Sequence, residues 1–261
     1  MLFRSDVVPS FLGARNAYLF RDGSDERTMH RGYTLLYHRA YAELLPAEGG
    51  MLLCRAAKWG DQTNGPILWP GDLDARLWRH GEEVTEDGQT FRAVGGLHAS
   101  MVAGLPLGPS GFPFYGADTG GYRPAPPDEE TFIRWFEQTA LSSVMQIGTG
   151  SSDVVWELGD ADLVDLYRVY TRLHLRLFPY TWTLAEEIAT TGAPIQRPFG
   201  LAEPSYGEHT SDQYFYGDAL LVAPVTDAGV VERDVFFPEG RWFDFWDGSS
   251  IDGPGSRRVA A

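Results

Sequence analysis

The chain has 261 residues, 43% of them hydrophobic and 22% charged, with a formal net charge of −15 from 21 Lys and Arg against 36 Asp and Glu. That is enough apolar sequence to bury a core in one large domain or two smaller ones, and the acidic balance argues against nucleic acid or an anionic membrane surface as a partner. The single cysteine, Cys54, cannot close an internal disulfide, and no apolar run approaches the roughly 18 residues of a membrane-spanning helix.

In chain order, Met1 to Asp6 lacks the basic, apolar and small-residue segments of an export signal, so a cytoplasmic location is the expectation. Asp22-Gly23-Ser24-Asp25 supplies turn and cap chemistry ahead of Met29, Tyr33, Leu36, Tyr37, Ala40, Tyr41 and Leu44, whose spacing predicts a helix over 28–45. Gly50 to Ala57 predicts a short buried strand that delivers Arg55 into a loop rich in Gly, Asn and Pro, running to Asp72. A helix over 95–105 feeds a second buried strand, Gly111 to Gly116, ending at Asp118. Asp128-Glu129-Glu130 marks a helix start, its acidic residues well placed against the helix dipole. Leu163 to Leu184 keeps helical spacing across Pro179, as one kinked helix or two in succession. Pro194 to Pro198 reads as a last short strand, and the runs 213–225, 230–237 and 242–246 predict an antiparallel sheet.

Strand-helix alternation up to about residue 200 argues for a parallel α/β layer, and the expected division is 1–212 and 213–261. Arg55, Asp118 and the turn Trp69-Pro70-Gly71-Asp72 each follow an apolar run, the one-dimensional form of an active-site rim at the C-terminal ends of barrel strands. An apolar wall such as Trp69 raises a neighbouring carboxyl pKa and suits Asp72 to acid chemistry, although Trp-Pro-Gly-Asp taken alone also reads as a solvated turn. The aromatic content, 8 Trp, 12 Tyr and 15 Phe, fits packing against sugar rings as well as a plain core. The six histidines, His30, His38, His80, His98, His174 and His209, show no metal-ligand spacing, and neither a metal nor a cofactor is expected. Gly116 to Gly121 lacks the features of a phosphate loop, and Ser110 those of a nucleophile elbow.

The order of segments carries more than any one of them. Arg55 with Gln62, Leu68 to Asp72, Phe114 to Tyr122, Arg134-Trp135, Arg197-Pro198, Gly217 to Val225 and Pro238 to Asp244 together resemble glycoside hydrolase family 31, over residues from about 20 to 248. The resemblance implies the C-terminal part of a (β/α)8 barrel followed by the start of a β-sandwich, and a retaining α-glycosidase acting on an α-linked oligosaccharide or glycoside. It implies that Asp72 is the general acid/base, that Arg55, Trp69 and Asp118 line the glycone pocket, and that no cofactor is used. Two departures stand out. Met145-Gln146-Ile147-Gly148 replaces the family's Arg-Asn-His, with the loop through Trp156 as a source of replacement contacts. No segment resembles the family's Lys-x-Asp-Phe-Gly-Glu nucleophile strand, and Asp6 aligns only with its terminal glutamate. The nucleophile is therefore expected upstream of Met1. The alternative is a non-catalytic carbohydrate-binding or degenerate partner protein.

Overall fold

The computed structural model describes residues 2–3, 21–24, 26–147, 155–159, 161–206 and 210–260. Asp6, Asp25, His209 and most of the loop before Trp156 lie outside the described residues. Helix α1 spans Glu26–Ala42, and the short strands β1 (Leu2–Phe3), β2 (Leu52–Cys54) and β3 (Pro66–Leu68) pair in parallel in that order. Single parallel bridges, Leu68 to Tyr115 and Asp118 to Gln146, carry the same lateral order onward as an arc of a barrel wall. These strands are short and β2 is buried at every position, as expected where helices cover a parallel sheet. The expected strand at 111–116 is accordingly reduced to bridge contacts at Tyr115 and Asp118.

Leu52, Cys54, Leu68, Phe112 and Tyr115 form one core cluster, closed by Tyr41 and Ala42 of α1. Helices α2 (Leu97–Gly104) and α3 (Glu129–Ala140) follow. Asp128 caps α3 by accepting from the Thr131 N–H at 2.8 Å. A short α4 (Val155–Leu158) leads to α5 (Ala161–Thr191), a single helix that runs through Pro179. Phe136 of α3 stacks on Tyr167 of α5 at 4.7 Å between ring centroids.

Two hairpins escaped the sequence reading. Strands β4 (Glu83–Glu86) and β5 (Gln89–Arg92) pair antiparallel around Asp87 and Gly88, whose φ values of 50° and 75° are those of a tight hairpin turn. Strand β6 (Gln196–Pro198) leads into α6 (Phe199–Ala202), then β7 (Tyr214–Tyr216) and β8 (Leu220–Val222). The C-terminal ribbon pairs β9 (Glu232–Phe243) with β10 (Ser250–Ala260), so the two separate runs expected over 230–246 become one long strand and a turn. Strand β10 contains Gly253, Pro254 and Gly255, which suppress a strand signal in sequence. Strands β6, β7 and β8 form an antiparallel sheet, and Tyr214, Tyr216 and Val222 share a core cluster with Met101 of α2 and Leu184 of α5.

Candidate active site

Strand β2 ends at Cys54, which places Arg55 at the start of the following loop; β3 ends at Leu68, which does the same for Trp69 and Asp72. The Trp69 N–H donates to the Cys54 carbonyl at 2.9 Å, tying the two strand ends together. From there Arg55 Nη2 donates to Asp72 Oδ1 at 2.7 Å, a charge-assisted bond, while its guanidinium carbon lies 4.3 Å from the centroid of the Trp69 ring. Gly71 has φ 92°, and a Cβ there would sit 3.6 Å from Arg55 Nε, so the loop turns closely over the arginine.

Asp118 comes from the third segment and is 6% exposed. Burial pushes its carboxyl up to about 7; the Trp69 side chain and the Arg55 charge oppose the rise, and the Asp72 charge adds to it. Trp69 Nε1 and Asp118 Oδ2 are both buried without a well-formed hydrogen bond, so the indole N–H offsets only part of that burial. All four expected residues thus converge. The Trp69 face takes the Arg55 guanidinium, and burial shifts the Asp118 carboxyl toward neutrality.

Gln146, in sequence only a departure from the family motif, donates from Nε2 to Asp118 Oδ1 at 3.3 Å. Nothing in the linear sequence marks it except its place after the helix that follows Asp118. Gln62 holds the loop after Arg55 by donating from Nε2 to the Ser110 carbonyl at 2.8 Å. Arg197 pairs with Asp218, joining β6 to the β7–β8 turn. Trp135 is fully buried, and Arg134 donates to the Val230 carbonyl at 3.0 Å, so this expected motif braces the C-terminal region. No group of three or more potential metal-ligating side chains occurs among the described residues.

Comparison with known proteins gives this arrangement its context. The glycosyl hydrolases family 31 TIM-barrel domain matches residues 8–184, and the family 31 C-terminal domain matches residues 192–261. The chain belongs to glycoside hydrolase family 31. This family 31 chain is 28% identical to the isomaltosyltransferase of Sporosarcina globispora over 99% of its own length and 23% of that protein. It is 31% identical to an α-xylosidase of Emericella nidulans, covering 86% of this chain and 28% of that protein. A cycloalternan-degrading enzyme from Trueperella pyogenes, solved in complex with a covalent intermediate, superposes with a TM-score of 0.78 at 26% identity, covering 93% of this chain and 33% of that one. The family 31 chain therefore spans about a quarter to a third of the length of these relatives.

Proposed function

We propose that this chain carries the acid/base side of a retaining α-glycosidase site. The observation that carries the reading is the convergence of Arg55, Trp69, Asp72 and Asp118 from three adjacent strand ends of a family 31 barrel arc. In this mechanism Asp72 protonates the glycosidic oxygen as the bond to the sugar breaks, then removes a proton from the water that releases the sugar. Arg55 holds the Asp72 carboxyl group in position by its hydrogen bond to Oδ1 and presents the rest of its guanidinium to sugar hydroxyls. Asp118, with its carboxyl near 7, donates to or accepts from a hydroxyl according to pH. The covalent half of the reaction needs a second carboxylate about 5 to 5.5 Å from the first, and the resemblance places it on a strand preceding those of the site. α-Linked oligosaccharides or glycosides are the substrate class.

Replacement Asp72→Asn tests the assignment through its dependence on the leaving group. In the protein that also carries the nucleophile strand, turnover of an alkyl α-glycoside or a disaccharide falls by about 100-fold or more, while an aryl α-glycoside with a good leaving group loses much less. Equal losses on both substrates remove Asp72 from the acid role. A second reading, a sugar-binding protein without turnover, is favoured by Met145-Gln146-Ile147-Gly148 standing where the family has Arg-Asn-His; calorimetric binding of a monosaccharide, with no hydrolysis of any aryl α-glycoside by the protein that also carries the nucleophile strand, selects it.

A further inference from the structure

We propose that the β4–β5 hairpin is the outer wall of a second sugar site, which holds the leaving-group side of an α-linked oligosaccharide beside Asp72. The proposal rests on the glycosidase reading and extends it to chain-length specificity.

The path from Asp72 to α2 is far longer than a strand-to-helix turn requires, and it closes on itself. The Asp74 N–H donates to the Gly95 carbonyl at 3.0 Å, the Gly95 N–H donates to Asp74 Oδ2 at 2.6 Å, and the Gly96 N–H donates to the Trp78 carbonyl at 3.0 Å. The hairpin above this closure is braced. Arg76 Nη2 donates to Glu86 Oε1 at 2.7 Å and its Nη1 to the Pro126 carbonyl at 2.8 Å, while Trp78 meets Phe91 edge to face at 5.8 Å.

Between the hairpin and the loop after Asp118 lies a cavity of about 460 Å³, whose lining includes Asp74, Gln89, Phe91, Arg92 and Arg123. The two loops are joined directly, the Ala75 N–H donating to the Arg123 carbonyl at 2.8 Å and the Tyr122 N–H to the Leu73 carbonyl at 2.9 Å. The cavity therefore sits between the continuations of two strands that supply the site, and Asp74 is two residues from Asp72, a Cα separation of about 7 Å at most. Loops at this end of a barrel set specificity, and the volume falls within the range of small-ligand sites, about 300 to 1,000 Å³.

The lining suits a neutral, hydroxyl-rich ring. Phe91, 38% exposed, offers an apolar face to the C–H face of a sugar. Gln89, Arg92 and Arg123 supply donors, and Asp87 and the Gln89 amide oxygen supply acceptors. Arg92 and Arg123 share the lining with Asp74, Glu86 and Asp87, a mixed polarity that argues against a simple anion site.

Calorimetry on the whole chain tests this, with glucose, maltotriose and isomaltotriose as probes. At least one trisaccharide binds about tenfold more tightly than glucose. Phe91→Ala on the hairpin and Arg123→Ala on the opposite loop each remove most of that difference while leaving glucose affinity unchanged; Arg123 stands outside the hairpin, so its result does not depend on the hairpin keeping its fold. Trisaccharides that bind no better than glucose, or variants that weaken both alike, overturn the second site. Arg55→Ala separates the two readings: loss of glucose binding in that variant, with no effect of Phe91→Ala or Arg123→Ala on trisaccharide binding, overturns only the second site. Retention of glucose binding in Arg55→Ala overturns the glycone pocket instead.

Discussion

Two buried carboxylates, Asp61 and Asp118, follow strand ends of the same barrel arc and show opposite designs. Asp61 is fully buried and closed on dedicated partners: its Oδ2 meets His38 Nδ1 at 2.5 Å, and its Oδ1 accepts from Asn64 Nδ2 at 2.8 Å. His38 comes from α1, so this pair locks the loop after Arg55 to the helix outside the sheet. Asp118 shares its surroundings with Trp69, Asp72 and Arg55, and its hydrogen bond from Gln146 is long at 3.3 Å. A buried carboxyl closed on two dedicated partners in good geometry holds structure. A carboxyl whose burial is only partly offset by its neighbours is pushed toward neutrality, which suits it to exchange a proton near pH 7.

Removing Asp72 should give the largest difference between the two regions. On the glycosidase reading, Asp72→Asn in the protein that also carries the nucleophile strand lowers turnover of substrates with poor leaving groups by about 100-fold to 10,000-fold, with denaturant unfolding close to that of the parent. Breaking the lock affects stability instead. His38→Leu or Asp61→Leu alone costs about 3 to 5 kcal/mol by leaving its partner buried and unmatched, and the double replacement recovers much of that loss. Single variants unfolding within 1 kcal/mol of the parent would show that the pair is not a lock. Arg55→Lys keeps the charge but loses the planar stack on Trp69, so sugar affinity falls by about tenfold while circular dichroism is unchanged.

The smallest effect is a pH dependence. Because burial raises the folded-state pKa of Asp118 from 3.8 to about 7, the native protein keeps this proton after the unfolded chain has lost it. Stability therefore declines as pH rises from about 4 to about 7, and the decline from this group levels off above that. After allowance for screening, thermal or denaturant unfolding at pH 4 and pH 8 should show a loss of about 1 to 2 kcal/mol that is missing in Asp118→Asn. The same slope in parent and variant assigns the pH dependence to other groups.

Much of the architecture was legible in local signals. The spacing of Tyr33, Tyr37 and Tyr41 gave α1, Asp128 gave the cap of α3, and the apolar run before Arg55 gave β2. The β4–β5 hairpin had a readable mark, Asp87-Gly88 between Thr85 and Thr90, whose hydroxyls meet at 2.9 Å across the strands. Its polar strands lack the apolar alternation that identifies a half-buried sheet, and only Val84 among β4 and β5 residues is buried. Strand β10 was hidden for the same reason, its ion pairs Arg241 to Asp252 and Arg258 to Glu232 lying on an exposed ribbon.

The sequence by itself determined the family and the barrel-then-sheet order, and it singled out four residues that meet at the strand ends, because their types and order along the chain survive in one dimension. Tertiary structure decided which of those residues touch and how deeply each is buried. Whether an aspartate is locked, paired or held near neutrality depends on what surrounds it in space, and His38 is 23 residues from Asp61 as Gln146 is 28 from Asp118. The placement of the β4–β5 cavity beside Asp72 is likewise a product of the closure at Asp74 and Gly95 and of the link to Arg123, long-range hydrogen bonds that no local pattern encodes.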